Sequence, residues 1–460
     1  MITAHHFFLP LLPFSPTPEQ EELFRKLYLF LQAPVEEAGT FILTGYAGTG
    51  KTSCLSALAK GVTQLGKTVQ FLAPTGRAAK IISTKTGHKA LTLHRQLYKT
   101  IQNPYSGKVK FELSKNYKDN CLFVVDEASM IGIAEEEGET DLLSDLLRFV
   151  FSRTGNKLLL VGDPAQLPPV GSNLSPGLNH EVLQYIYQQK VVSHQLCLVS
   201  RQQSDSGIVA NAMALRKALE EPQQPFFINS HGYKDVFLLP GNKVTEGLSY
   251  AYEKYGIHES LVLCATNREA IHYNQLIRRD LLGRKKILEE GDLLMVARNN
   301  YHALPQKGKI DFLANGEFVE VVEVLEEELL GNFRFQNLRL RLPDYPHQRP
   351  FNTKILLETL ESCEASMSPV RLKELFNLVA VRHVNYFARS RQMQAIRKDP
   401  YLNALQVKYA YALTCHKAQG GQWKSVFIRQ GFWEQEAPSA EKTRWLYTAV
   451  SRASTALFWL

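Results

Sequence analysis

The sequence lacks the signatures of several protein classes. Its six cysteines, Cys54, Cys121, Cys197, Cys264, Cys363 and Cys415, are scattered and include no CxxC pair. Neither a zinc site nor a disulfide framework is indicated, and a reducing cytosol suits them. No apolar run approaches the roughly 20 residues needed to span a bilayer. The apolar stretch Phe7-Phe8-Leu9-Pro10-Leu11-Leu12-Pro13 has no basic leader and is broken by prolines, so it does not read as a signal peptide and a cytoplasmic, non-membrane protein is expected. No fixed-period repeat is visible. Acid is also in deficit, with 45 Asp and Glu against 53 Lys and Arg in 460 residues, a formal charge of +8. That surplus suits a polyanionic partner, although a merely basic surface would give the same count.

The most informative stretch present is Gly45-Tyr46-Ala47-Gly48-Thr49-Gly50-Lys51-Thr52, a complete GxxxxGKT. It follows the β-rich Phe41-Ile42-Leu43-Thr44 and precedes helical spacing from Ser53 to Lys60, which is the strand-to-helix context that a phosphate-binding loop requires. The glycines permit a tight turn of inward N–H groups, and the helix start adds its positive end. Lys51 would reach the β- and γ-phosphates of ATP and the Thr52 hydroxyl would ligate Mg²⁺. Thr17-Pro18-Glu19-Gln20 reads as a helix start; Gln20 is either a surface glutamine or the amide that reads the adenine edge.

Further along, Val69 to Ala73 reads as a strand that runs into Pro74-Thr75-Gly76-Arg77-Ala78-Ala79-Lys80, a second loop at the sheet edge where open α/β folds bind ligands. Lys80, Lys85, Lys89, His94, Arg95 and Lys99 then collect with little acid between them, as a solvated face or as a track for a phosphate backbone. Residues from about Lys99 to Leu113 read as a hairpin with its turn at Asn103 to Gly107; Tyr105 and Phe111 either pack or offer a face to a nucleobase. Cys121 to Val125 is a buried strand ending in Asp126-Glu127-Ala128-Ser129. Asp126 is placed to hold Mg²⁺ and Glu127 to activate a water, the division of labour that phosphoryl transfer requires. After the strand Lys157 to Val161, Gln166 either touches the γ-phosphate or belongs to a Pro- and Gly-rich turn.

The second half repeats the α/β pattern around Gln195 to Leu198 and Leu261 to Ala265, and again from Tyr411 onward. Between them, residues from about Gly291 to Pro350 are β-rich and read as a small inserted barrel. Ser368 to Tyr401 is helical and basic.

In this order the motifs make the chain resemble superfamily 1 helicases of the RecD-like, B-type group, over nearly its whole length. Gly45 to Thr52 is similar to motif I, Pro74 to Lys80 to motif Ia, Asp126 to Ser129 to motif II and Gly162 to Gly171 to motif III. Ser200 to Gln202 resembles motif IV, Thr414 to Gly421 motif V and Tyr447 to Arg452 motif VI. The resemblance implies an α/β fold of two RecA-like P-loop domains, with a β-hairpin pin in the first and an SH3-like β insertion in the second. The implied boundaries are 1–190 for the first domain, with the pin at about 99–113, then 191–290 plus 402–460 for the second, and 291–401 for the insertion. It implies an ATP-dependent, Mg²⁺-using enzyme that moves on single-stranded DNA, 5′ to 3′, and opens forked duplexes in replication, recombination or repair. A monomer is expected, with single-strand-binding or replication and repair proteins as partners.

The implied nucleotide contacts are Gln20, Gly45, Ala47, Gly48, Thr49, Gly50, Lys51, Thr52 and Gly420, with Thr52 and Asp126 on the metal. Lys51, Glu127 and Gln166 serve catalysis, and Arg201 and Arg452 reach across from the second domain to transition-state charge, a role that suits a guanidinium fork. Thr75, Arg77, His94, His416 and Lys417 are implied on the DNA track, and Phe111 as the wedge of the pin.

Overall fold

The computed structural model describes residues 7–460 except 103–108, 134–140, 170, 199–204, 301, 305–312, 346, 365 and 386–387, and it describes no side chains at 100–102, 109–111 or 432. The first eight strands are β1 (Thr40–Gly45), β2 (Thr68–Ala73), β3 (Ala90–Thr92), β4 (Tyr98–Gln102), β5 (Val109–Leu113), β6 (Cys121–Val125), β7 (Lys157–Gly162) and β8 (Val191–Leu196). Six of them form one parallel sheet in the order β3-β2-β6-β7-β1-β8. Its strands are apolar because both faces are covered. Alternate side chains of β1 point to opposite sides, so Phe41 and Leu43 join Leu55 and Leu58 of the helix Lys51–Gln64. Ile42 joins Phe123, Leu146 and Leu160 on the other side.

β4 and β5 stand apart as an antiparallel hairpin pairing Tyr98 with Leu113 and Gln102 with Val109. This is the hairpin expected at 99–113; its turn, with Tyr105, lies outside the described residues, as does the side chain of Phe111.

β9 (Val236–Leu238) and β10 (Ser260–Cys264) begin the second half. Then β11 (Leu293–Val296), β12 (Phe318–Leu330), β13 (Phe333–Arg341), β14 (Phe351–Leu356) and β15 (Leu405–Tyr409) close a five-stranded barrel. The helices Pro369–Arg382 and Arg389–Lys398 cover one end of it, burying Leu375, Val379 and Ile396 against Phe333 and Phe335. Finally β16 (Ala412–Thr414), β17 (Trp423–Arg429) and β18 (Ala453–Trp459) join the second parallel sheet in the order β16-β10-β17-β18-β9. The architecture is therefore α/β, two parallel sheets with a small barrel inserted into the second.

Two strands lie across the boundaries expected from sequence. β8, just past residue 190, pairs with β1 and belongs to the first sheet. β15, past residue 401, pairs with β11 and β14 and closes the barrel. Among the described residues no helix is long and apolar enough to cross a membrane.

Candidate nucleotide and nucleic-acid site

The first site lies where β1, β6 and β7 end together. Beyond β1, Gly48 and Gly50 take φ of 81° and 83°, the left-handed region in which a Cβ is costly. A Cβ at Gly45 would sit 2.9 Å from Thr49 Oγ1 and 3.2 Å from Lys51 Cγ, so the loop closes on itself only because this position is bare. Lys51 Nζ donates to the carbonyl oxygens of Gly45 at 2.5 Å and Tyr46 at 2.9 Å, which holds the ammonium inside the loop. Thr52 lies in the first turn of the helix that Lys51 begins.

Beyond β6, Asp126 accepts the Glu127 N–H at 3.0 Å. Burial pushes its carboxyl up to about 7, the adjacent Glu127 charge adds to the shift, and Lys51 opposes it. Glu127 has φ of 54°, an uncommon conformation for a residue with a side chain and one that clusters at functional sites. Glu127 Oε2, Ser129 Oγ and, beyond β7, Gln166 Oε1 are buried oxygens with no hydrogen-bond partner among the described residues. Such atoms are rare, and each requires a reason. These three fall on the turns after β6 and β7, the two strands that lie on one side of β1 and its GxxxxGKT loop.

The set fits a magnesium nucleotide. Narrow-turn glycines, an ammonium, a carboxylate pair and unpaired acceptors are the donor and acceptor chemistry that a triphosphate, a divalent cation and an attacking water require.

The helix Ala440–Val450 of the second sheet reaches the same place. Tyr447 Oη accepts the Ala47 N–H at 3.0 Å and donates to Asp163 Oδ2 at 2.6 Å. Thr448 Oγ1 accepts the Leu167 N–H at 2.9 Å, Arg444 donates to the carbonyls of Pro164 and Gln166, and Gln419 Nε2 donates to the Leu167 carbonyl at 2.8 Å. The turn after β7 is thus gripped from the opposite side of a cleft.

A second juxtaposition involves the helix Gly76–Thr86. Thr75 caps it, its Oγ1 accepting the Ala78 N–H at 3.2 Å. The Arg77 guanidinium lies 3.9 Å from the Trp423 ring centroid and 4.9 Å from that of Phe318, and donates to the Gln422 carbonyl at 3.2 Å. Lys80 pairs with Asp344 at 2.7 Å. His416 and Lys417 lie on the turn Cys415–Ala418 directly after β16, and burial lowers the pKa of each. His94 lies half-buried in the helix Leu93–Leu97, with its ring centroid 5.8 Å from that of Tyr98.

Residues 17–231 match the family model of an AAA domain, and residues 409–459 that of a UvrD-like helicase C-terminal domain. These segments carry the two walls of the cleft. The ATP-dependent DNA helicase dda of Enterobacteria phage T4 is 24% identical over 427 residues, 87% of this chain and 90% of that protein. The ATP-dependent RecD2 DNA helicase of Deinococcus radiodurans is 40% identical over 136 residues, which are 29% of this chain and 16% of that protein. The chain is similar to RecD-like helicases of superfamily 1. An uncharacterized protein of Acanthamoeba polyphaga mimivirus is 23% identical over 91% of this chain and 94% of its own length.

Several residues stand elsewhere than the motif order implies. Gln20 does not face open space. Its Oε1 accepts the Thr17 N–H at 3.0 Å and its Nε2 donates to the Thr49 carbonyl at 3.2 Å, so the amide braces the loop instead of waiting for a base edge. Gly420 does not face the loop either. It has φ of 73°, and a Cβ there would lie 2.9 Å from Ala78 Cβ and 3.2 Å from Thr75 Oγ1, so the glycine lets motif V approach motif Ia.

Arg452 does not reach across the cleft in this structure. It is buried and donates to the Thr448 carbonyl at 3.1 Å, the Gly421 carbonyl at 3.1 Å and Ser451 Oγ at 3.0 Å. The carbonyls at a helix end lack intrahelical partners, and this guanidinium satisfies one of them. Arg201 lies outside the described residues. Among the described residues the side chains of Gln419, Arg444, Tyr447 and Thr448 do cross, and none of them was singled out by sequence. Tyr447 opens the YTAVSR stretch, but a tyrosine in an apolar helix reads as core.

The barrel rests on the motif Ia helix through Glu317, which is buried and accepts the Ala314 N–H at 2.9 Å. A Cβ at Gly76 would lie 2.8 Å from Glu317 Cγ, so no side chain fits there. Burial pushes the Glu317 carboxyl up to about 7 from an ordinary 4.5. Between those pH values the folded chain holds a proton that the unfolded chain has lost, so this contribution to stability falls as pH rises and is gone above about 7. Glu317→Gln, which keeps the volume and an acceptor oxygen, is therefore expected to raise the Tm by a few degrees at pH 8 and to leave it unchanged at pH 4.5. Melting curves at the two pH values check this, and an equal shift at both would contradict it.

Proposed function

We propose that this protein hydrolyses ATP to move 5′ to 3′ along single-stranded DNA and to separate duplex DNA at forks. The observation that carries the reading is the convergence of Lys51, Asp126 and the orphaned oxygens of Glu127 and Gln166 at the ends of three neighbouring strands, with a second parallel sheet gripping the adjacent turn. A bound nucleotide between two such walls would bias their closure, and losing its γ-phosphate would release it.

Each residue has a part. The loop N–H groups and Lys51 bind the phosphates, and Gln20 holds the loop in shape. Thr52 and Asp126 are the residues that would hold Mg²⁺, which supplies charge neutralisation on the β- and γ-phosphates. Glu127 takes the proton of the attacking water, and Gln166 orients that water or senses the γ-phosphate. Thr75, Arg77, His416 and Lys417 line the strand track where motif Ia meets motif V. His94 extends the track, and the β4–β5 hairpin is the pin that parts the strands, with Phe111 as its wedge. Arg201 supplies the crossing guanidinium; Arg452 locks motif V to the end of the motif VI helix. The two sheets and the barrel constitute three domains, divided near residues 196, 290 and 410. The active unit is a monomer.

The reading is tested by steady-state ATP hydrolysis with and without single-stranded DNA. Multiple turnovers, at least tenfold faster with DNA, are expected; a single stoichiometric turnover would mark a nucleotide-switched clamp instead.

A further inference from the structure

The Ala47 N–H belongs to the phosphate-binding loop, yet in this structure its partner is a side chain of the opposite wall, the hydroxyl of Tyr447 at 3.0 Å. The direction of that bond is fixed by the neighbouring one. Tyr447 Oη is 2.6 Å from Asp163 Oδ2, and a carboxylate only accepts, so the tyrosine proton is committed to Asp163 and a lone pair of its oxygen faces Ala47. Burial, reinforced by the Asp163 charge, raises the Tyr447 pKa and keeps the phenol protonated. Asp163 is itself buried, and its other oxygen accepts the Ala165 N–H at 3.0 Å within the motif III turn. The chain of bonds therefore runs from the loop, through one hydroxyl, into the turn that carries Gln166. A lone pair aimed at a loop N–H is what a phosphoryl oxygen offers.

We propose that Tyr447 is a placeholder for nucleotide: without nucleotide its hydroxyl oxygen occupies the Ala47 N–H that a phosphate oxygen takes on binding, and the exchange frees the motif VI helix from the loop while Asp163 keeps it on motif III. Tyr447 is a positioning residue in this account, and the proposal rests on the nucleotide-site reading above. Each nucleotide that binds breaks one neutral hydrogen bond, and this lowers its apparent affinity. Binding thereby reports to the second sheet through the same hydroxyl that it displaces.

The test is calorimetric titration of wild type and Tyr447→Phe with ADP and Mg²⁺. The variant is expected to bind between about twofold and tenfold more tightly, the worth of one neutral hydrogen bond, while its Tm without nucleotide falls because Asp163 loses a donor. Tighter binding by a less stable protein is a result that mere structural damage does not produce. Equal or weaker binding by a folded variant overturns the placeholder role alone, whereas no binding by wild type overturns the nucleotide-site reading with it. Should the variant fail to fold, the Ala47 amide of wild type labelled with ¹⁵N-alanine decides the matter. Slow hydrogen exchange without nucleotide supports the proposal, and exchange at the rate of an open loop overturns it.

Discussion

Glu127→Gln is expected to lower kcat for DNA-stimulated ATP hydrolysis by about 10² to 10⁴-fold while leaving ADP affinity within about twofold of wild type. The substitution keeps the volume and one carbonyl oxygen, so packing around the left-handed turn at φ 54° is retained. What it removes is the charge. Glu127 Oε2 is buried with no partner among the described residues, and an unpaired buried acceptor costs about 1–3 kcal/mol. A fold tolerates that cost when the atom has a partner at another stage of the cycle, and in the proposed mechanism that partner is the proton of the attacking water. Loss of the Glu127 charge also removes the second cause of the raised Asp126 pKa, so magnesium binding is expected to survive at neutral pH. Steady-state rates at saturating ATP and single-stranded DNA check the prediction, and a variant that hydrolysed at the wild-type rate would remove Glu127 from the role of base.

Lys51→Ala is expected to weaken ATP binding by about 10- to 100-fold, the worth of one or two charged hydrogen bonds, and to abolish unwinding. In this structure the ammonium rests on the Gly45 and Tyr46 carbonyls, so it is already inside the loop and needs only to exchange those oxygens for phosphate oxygens. Alanine has neither charge nor reach. Binding of single-stranded DNA should persist, because the residues proposed for the strand track, Thr75, Arg77, His416 and Lys417, lie on other elements than the GxxxxGKT loop. Filter binding with labelled oligonucleotide, beside nucleotide titration, separates the two effects. Loss of DNA binding together with nucleotide binding would show that the loop is a structural element of both sites.

The sequence made the first wall of the cleft legible because each of its parts carries a local signal. A GxxxxGKT between a β-rich run and a helix, an Asp-Glu pair ending an apolar strand, and a glutamine after the next strand all depend on neighbours in the chain. The structure places all three side by side because the strands β1, β7 and β6 are adjacent in the sheet. The opposite wall was only partly legible. Arg452 was named for its motif, but the partner of a long side chain is chosen by the tertiary surroundings, and here the carbonyls of Thr448 and Gly421 are closer at hand.

Tyr447 escaped notice for the complementary reason. Its hydroxyl is a minority of a largely apolar surface, and only the approach of a loop 400 positions earlier in the chain gives that hydroxyl work. Gln20 shows the same limit in reverse, since a residue expected at a base edge is consumed by the capping box at Thr17 and by the Thr49 carbonyl. The barrel was recognised by its β-rich runs up to about Pro350, but its last two strands, β14 and β15, lie past that bound. β15 is followed at once in the chain by β16, and only the strands that each pairs with, β11 and β14 for one and β10 for the other, assign one to the barrel and the other to the sheet.

The central claim, that the cleft drives directional strand separation, is tested most directly by unwinding of two matched duplexes, one with a 5′ and one with a 3′ single-stranded tail, in the presence of ATP and Mg²⁺. ATP-dependent separation of the 5′-tailed duplex, with little of the 3′-tailed one, is the expected result. Equal failure on both, by protein that still hydrolyses ATP in response to single-stranded DNA, would contradict it.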